Sequence, residues 1–295
     1  AHSQAGLQPQ SLKASVGGQH RDQFDFDALS RIVGKSAARD ELPAARRERL
    51  VGTLGVLESQ RFFVPPELED APDDECFDFV FDSCAAATQA FRDRMPEVVA
   101  LVKALSIAEL EAQGRYVEAE HDLVFAAFDE HSLTSDDLAR FPDYLVCIPP
   151  DRNDAAENAN LMEMLSSGLP VKVLVQTTDL LEEASIGTGR FAFGVRSARL
   201  ATTAMGLGGM FVLQSASSNL FALRQRIQHG LACREPALFS VFAGAPQTAG
   251  QLPPYLSAAA AMQSRAFPAF SYDAAAGSNW AARFSLENNP QPDDD

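Results

Sequence analysis

The chain has 295 residues and a formal net charge of −16, from 40 acidic against 24 basic side chains. A surface this negative repels a phosphate backbone, so nucleic acid is excluded as an expected partner. With 46% hydrophobic and 22% charged residues the composition is that of a globular protein, long enough for one large α/β domain or two smaller ones. No apolar run approaches the ~18 residues that a membrane helix needs, and Ala1-His-Ser-Gln-Ala lacks a charged-then-apolar signal pattern. A cytoplasmic protein with no membrane contact is therefore expected. Four scattered cysteines, Cys76, Cys84, Cys147 and Cys233, offer no Cys-x-x-Cys pair. They exclude the usual iron–sulfur and zinc spacings and read as small buried hydrophobes.

Residues 1 to about 23 read as a flexible leader, and 24–34 and 43–60 as short amphipathic helices. Pro65-Pro66 and the acidic stretch to Glu75 read as a linker, so that 1–75 precede an α/β domain spanning 76–295. Residues 77–90 fit either a strand entering a helix or helix throughout. A helix is predicted over 96–111, another over 121–128, and a short one after a Thr134 cap. The remainder alternates. Strands are predicted at 144–148, 171–176, 210–214 and 237–242, with helices at 155–165, 195–207 and 218–231 between them. A helix at 254–264 and a strand at 267–272 follow. This order specifies a doubly wound, mostly parallel α/β sheet with helices on both faces.

Tyr144 to Gln176 forms the clearest unit, a βαβ crossover whose strand ends define a ligand crevice. Those ends are Pro149-Pro150-Asp151 and Thr177-Thr178-Asp179. Asp151-Arg-Asn-Asp154 reads either as a loop with a helix cap at Asn153 or Asp154 or as a rebuilt ligand site. Thr177, Thr178 and Asp179 carry the same two readings. Glu182 and Glu183 read as a solvated acidic pair or as a general acid and base. Gly187-Thr-Gly-Arg190 reads as a plain turn or as a small anion-binding one, with Arg190 and Arg196 as anion partners. Gly206-Leu-Gly-Gly209 reads as a helix terminus. Ser83-Cys84 has no base nearby in sequence to make it a nucleophile.

Residues 144–288 resemble the C-terminal, thiamine-diphosphate-binding domain of pyruvate:ferredoxin (flavodoxin) oxidoreductase and related 2-oxoacid:acceptor oxidoreductases. The resemblance lies in order and spacing. That family has a strand ending in Gly-Asp-Gly, a helix ending in a Ser-Gly turn, and a strand running into Asp-Thr-Glu-Val-Tyr-Ser-Asn-Thr-Gly-Gly. The corresponding stretches here are Ile148-Pro-Pro-Asp151, Leu165-Ser-Ser-Gly168 and Val173-Leu-Val-Gln-Thr-Thr-Asp-Leu-Leu-Glu-Glu183. Pro236-Ala-Leu-Phe-Ser-Val-Phe-Ala243 resembles the family's Gly-Pro-Ser-Leu strand, and Ser264-Arg-Ala-Phe-Pro-Ala-Phe-Ser-Tyr-Asp273 its Trp-Pro-Leu-Phe-Arg-Tyr-Asp-Pro ending.

The resemblance implies a seat for thiamine diphosphate and Mg²⁺ built from Asp151, Thr177, Thr178, Leu180, Glu183 and Arg190. Within it, Asp151, Thr178 and the Leu180 carbonyl would be the metal ligands, supplying the hard oxygens that Mg²⁺ requires. The sequence departs from the family at this place. Aligned on the Ser-Gly turn, the family's Asp falls on Pro150, with Asp151 one position late, and the flanking glycines are Pro149 and Asp151. Proline removes an N–H that would approach phosphate, and Glu182-Glu183 set negative charge beside it. The expectation is a degenerate site on a structural or regulatory module of a larger oxidoreductase-like protein, packing on other domains or on a second copy of itself. Both chain ends read as cut from a longer protein. The alternatives are a working 2-oxoacid:ferredoxin oxidoreductase component with substituted ligands, dependent on other domains for its clusters, or a Rossmann-like domain holding another small anion.

Overall fold

The fold is read from a computed structural model, which describes residues 25, 27–28, 42–63, 76–178, 197–245, 252–287 and 289. Among these residues, seven strands form one sheet. They are β1 (Val80–Phe81), β2 (Tyr144–Ile148), β3 (Val171–Thr177), β4 (Phe211–Ala216), β5 (Ala237–Phe242), β6 (Phe270–Asp273) and β7 (Phe284–Ser285). Their order is β1-β2-β3-β5-β4-β6-β7, parallel from β1 to β4 and antiparallel at β6 and β7. The described helices include α1 (Ala44–Glu58), α2 (Cys84–Ala112), α3 (Glu118–Ala126), α4 (Ser135–Leu138), α5 (Ala155–Ser166), α6 (Ser197–Leu207), α7 (Arg224–Ala232), α8 (Pro254–Gln263) and α9 (Trp280–Arg283). The doubly wound α/β architecture expected from the alternation is present. No described helix is long and apolar enough to cross a membrane.

Side chains alternate across each strand, so register decides which residues reach which face. Val146 pairs with Val173, Val173 with Leu238 and Leu238 with Val212. All four are fully buried, under α2, α5 and α6, which contribute Phe91, Leu161, Met164 and Leu200 to the same core. We call this the front face. The back face carries Leu174, Phe239 and Leu213, with Ile227 and Leu223 from α7 and the turn before it. Each step from β1 to β2, β3 and β4 moves one way along the sheet and keeps its helix in front. The step back from β4 to β5 puts α7 behind, as right-handed crossovers require.

Several boundaries differ from the sequence pattern. The segment from residue 77 resolves into a strand entering a helix, and that helix runs unbroken through Pro96 to Ala112. Pro96 was expected to start a helix. The true start is fixed upstream by Ser83, whose hydroxyl accepts the Ala86 amide, and the buried Phe91, Val98 and Leu101 hold the helix through the proline. The helix expected at 218–231 is broken into a 3₁₀ turn at Ser217–Asn219 and α7. The last expected strand starts three residues late, at Phe270, and pairs antiparallel with β4. The cysteines are not uniformly buried: only Cys84 is, whereas Cys147 points to the back face of β2 and is exposed.

Arg94 on α2 secures the β1 edge. Its guanidinium lies 4.3 Å from the Phe77 ring centre, near Phe79, Phe81 and Tyr144, and donates to the Asp78 carbonyl. A second polar lock joins α1 to the end of α2. Glu111, 4% exposed at its side chain, accepts from Arg46 at 2.8 Å and from Arg49 at 2.7 Å. Burial alone would raise the Glu111 carboxyl, but hydrogen bonds and charge from Arg49 and Arg46 prevail and hold it below the ordinary carboxylate range. The stability this adds is present above the unfolded-state pKa of about 4.3 and is lost as pH falls through the lower folded-state value. Glu111→Gln is therefore expected to destabilise the chain by roughly 1.5–3 kcal/mol at pH 7. The difference from the unaltered chain should begin to shrink near about pH 4 and vanish only below the lowered folded-state value, in urea denaturation followed by circular dichroism.

Candidate functional site

The carboxyl edge of the parallel strands is where a fold of this kind receives ligands. β2 and β3 end there side by side, which brings the exposed Asp151 and the half-buried Thr178 to neighbouring strand ends. Thr177, the last residue of β3, is buried and accepts the Ala243 amide through its carbonyl at 2.8 Å. The other expected site residues, Leu180, Glu183 and Arg190, lie outside the described residues, as do Asp179, Glu182 and Arg196. Among the described residues, no group of three or more His, Cys, Asp or Glu side chains is placed to hold a metal ion.

The groups best suited to bind an anion at this edge are the backbone N–H donors at the helix N-termini. At the starts of α5 and α2 the chain's own carboxylates take some of them. Asp154 is the N-cap of α5, and its Oδ1 accepts the Ala156 and Glu157 amides, each at 2.9 Å. This settles the cap in favour of Asp154 over Asn153. The Asn153 amide group instead donates to the Gln176 carbonyl at 3.2 Å, tying the loop after β2 to the end of β3. One turn into α5, Glu157 reaches across to α2 and accepts the Cys84 amide at 2.5 Å. Arg152, the basic residue nearest Asp151 in sequence, pairs with Asp82 at 2.5 Å, joining the loops that follow β1 and β2.

Glu157 was not singled out in the sequence, although a signal was present. Asp154-Ala-Ala-Glu157 has the spacing of a capping box, an acceptor at the N-cap and a carboxylate three residues on. Here the second carboxylate serves the neighbouring helix instead of its own. Burial of Cys84 removes the nucleophilic reading of that thiol. The thiol is fully buried, and burial, together with the charge and hydrogen bond of Glu157, drives its pKa far above the usual range. Gly208 and Gly209 do end α6, with φ of 72° and 59°. Gly244, beyond β5, has φ of 92°, and a Cβ there would lie 1.9 Å from the Pro254 carbonyl oxygen. Its lack of a side chain is explained by the close approach of α8.

No family model matches the chain, and no curated protein matches its sequence.

The carboxylate–amide contacts predict a graded response at residue 157. Glu157→Ala should cost roughly 1–3 kcal/mol by stranding the Cys84 amide. Glu157→Gln retains an acceptor and should cost less than half as much, measured as the shift in urea midpoint at constant slope.

Proposed function

We propose that this chain is the thiamine-diphosphate-domain-like part of a larger 2-oxoacid:acceptor oxidoreductase-like protein, that its inherited cofactor site is degenerate, and that its role is structural or regulatory. The observation that carries the reading is the occupation of helix N-terminal amides at the strand ends by Asp154 and Glu157. A diphosphate arriving there would meet two carboxylates in place of free N–H donors. Like charges at such distances repel by several kcal/mol where water is excluded, and by much less where it is not. Pro149 and Pro150 add to this by removing two N–H groups from the turn after β2. The residues described at the edge therefore do not fit the cofactor's diphosphate. Partner domains of the parent protein, or a second copy of the chain, would be what the module supports.

Calorimetric titration of thiamine diphosphate with Mg²⁺ tests the reading. The unaltered chain should give only heats of dilution. A variant with Pro149→Gly, Pro150→Asp, Asp151→Gly and Asp154→Gly restores the glycine–aspartate–glycine turn and frees the α5 amides, at a capping cost of only a few tenths of a kcal/mol. It should gain measurable affinity. Saturable binding by the unaltered chain would overturn the degenerate reading in favour of a working site with substituted ligands.

A further inference from the structure

A pocket of about 290 Å³ lies between α2 and α5, at the end of α5 away from the carboxyl edge of the sheet. That volume is near the lower end of the range for small-molecule sites. Its floor is apolar: Phe91 and Met164 are buried, and Met95 beside them is half-buried. Methionine side chains adapt to many apolar shapes. The rim carries exposed charges of both signs. Arg92 comes from α2, Glu163 from the last turn of α5, and Glu130 from the 3₁₀ turn Glu130–Ser132, which Asp129 caps.

These charges do not neutralise one another. Arg46, Arg49, Arg61, Arg152, Arg226 and Arg234 each pair with a carboxylate of the chain. Arg92 lines one pocket with two carboxylates, yet among the described residues neither Arg92 nor Glu163 takes part in an ion pair. Opposite charges held apart across an apolar floor select their ligand. A lone anion would meet Glu130 and Glu163, and a lone cation would meet Arg92. A molecule bearing both signs satisfies both walls, its carboxylate taking two parallel hydrogen bonds from the guanidinium. The last carbonyls of α5, at the negative end of the helix dipole, favour an ammonium on the side of Glu163.

From the unpaired charges of both signs over one apolar floor we infer that this pocket binds a small zwitterion with an apolar side chain, the chemistry of a free apolar α-amino acid. Its carboxylate is held by Arg92, its ammonium by Glu163 and Glu130, and its side chain by Phe91, Met95 and Met164. The site lies at the other end of α5 from the strand ends bearing Asp151 and Thr178. It therefore stands whether or not thiamine diphosphate binds there.

Ligand-observed NMR titration of the full chain with L-phenylalanine, L-leucine and L-methionine tests the inference. At least one should bind saturably at concentrations below roughly 10 mM. For that amino acid, the matching amine without a carboxylate and the matching acid without an amine should each bind about fivefold or more weakly. Arg92→Met should weaken the amino acid by a similar factor and leave the amine unchanged. Glu130→Gln with Glu163→Gln should weaken the amino acid and leave the acid unchanged. All three side chains are exposed at the rim, so the urea midpoint should stay where it is. Should a variant shift that midpoint, the comparison of amino acid, amine and acid on the unaltered chain decides alone. Failure of all three amino acids to bind the unaltered chain would overturn the inference. So would an amine or an acid that binds as tightly as its amino acid, because the pocket would then read one charge and not two.

Discussion

Everything at the carboxyl edge depends on one apolar layer, the row Val146, Val173, Leu238 and Val212 across four parallel strands. None of the four is exposed to solvent, and each buried side chain of this size contributes about 1.5–3 kcal/mol. Such figures are upper values, since an unfolded chain already hides part of its surface. Their structural consequence is stronger than their sum. A slip of one residue in any strand would turn this row outward, so the register is fixed. With it are fixed the heights at which β2 and β3 end and the places where α2 and α5 begin. Asp154 and Glu157 find their amide partners because the sheet has already set those starts side by side.

The same layer explains why the chain can spend carboxylates on its helix starts. A helix N-terminus presents unsatisfied N–H groups and a partial positive charge, and something negative must answer it. A phosphate-binding fold leaves that role to the ligand, which requires glycine-rich, uncapped loops. In this chain Asp154 answers α5 directly and Glu157, projecting from α5, answers α2. Arg152 is likewise spent internally, on Asp82. At the starts of α2 and α5 these contacts leave fewer free N–H donors for an anion, on a chain of net charge −16.

How much of this was legible in sequence varied with the kind of force involved. β2, β3 and β5 were readable almost to the residue because apolar runs bounded by polar turns leave few alternatives. Pro96 misled because proline marks a helix start only where no earlier cap competes, and Ser83 had already supplied one. β7, two residues long, carries no pattern of its own and exists because β6 offers it an edge. At the site, the strand ends bearing Asp151 and Thr178 were located, since topology places them. The reach of Glu157 to a helix more than seventy residues away was not legible, because capping rules describe a helix's own residues. Nor could the run Tyr144–Ile148, read as a buried strand, reveal that Leu145 and Cys147 on its back face are exposed.

The position of α7 on the back face has a polar cause. Lys172 on β3 has a side chain only 2% exposed, yet it points to the back face among apolar neighbours. Its ammonium donates to the Cys233 carbonyl at 2.5 Å and the Glu235 carbonyl at 2.8 Å, with the Asp143 carboxylate 3.8 Å away. Cys233 is the residue that terminates α7, so Lys172 caps that helix where its carbonyls lack partners and its dipole favours a cation. Pulling the ammonium from these acceptors would leave a buried charge unpaired, at a cost well beyond what sliding an apolar surface sideways could recover. α7 is therefore held over β4 and β5 by its last turn, and hydrophobic attraction cannot draw it across to β2. Lys172 thus fixes where α7 ends.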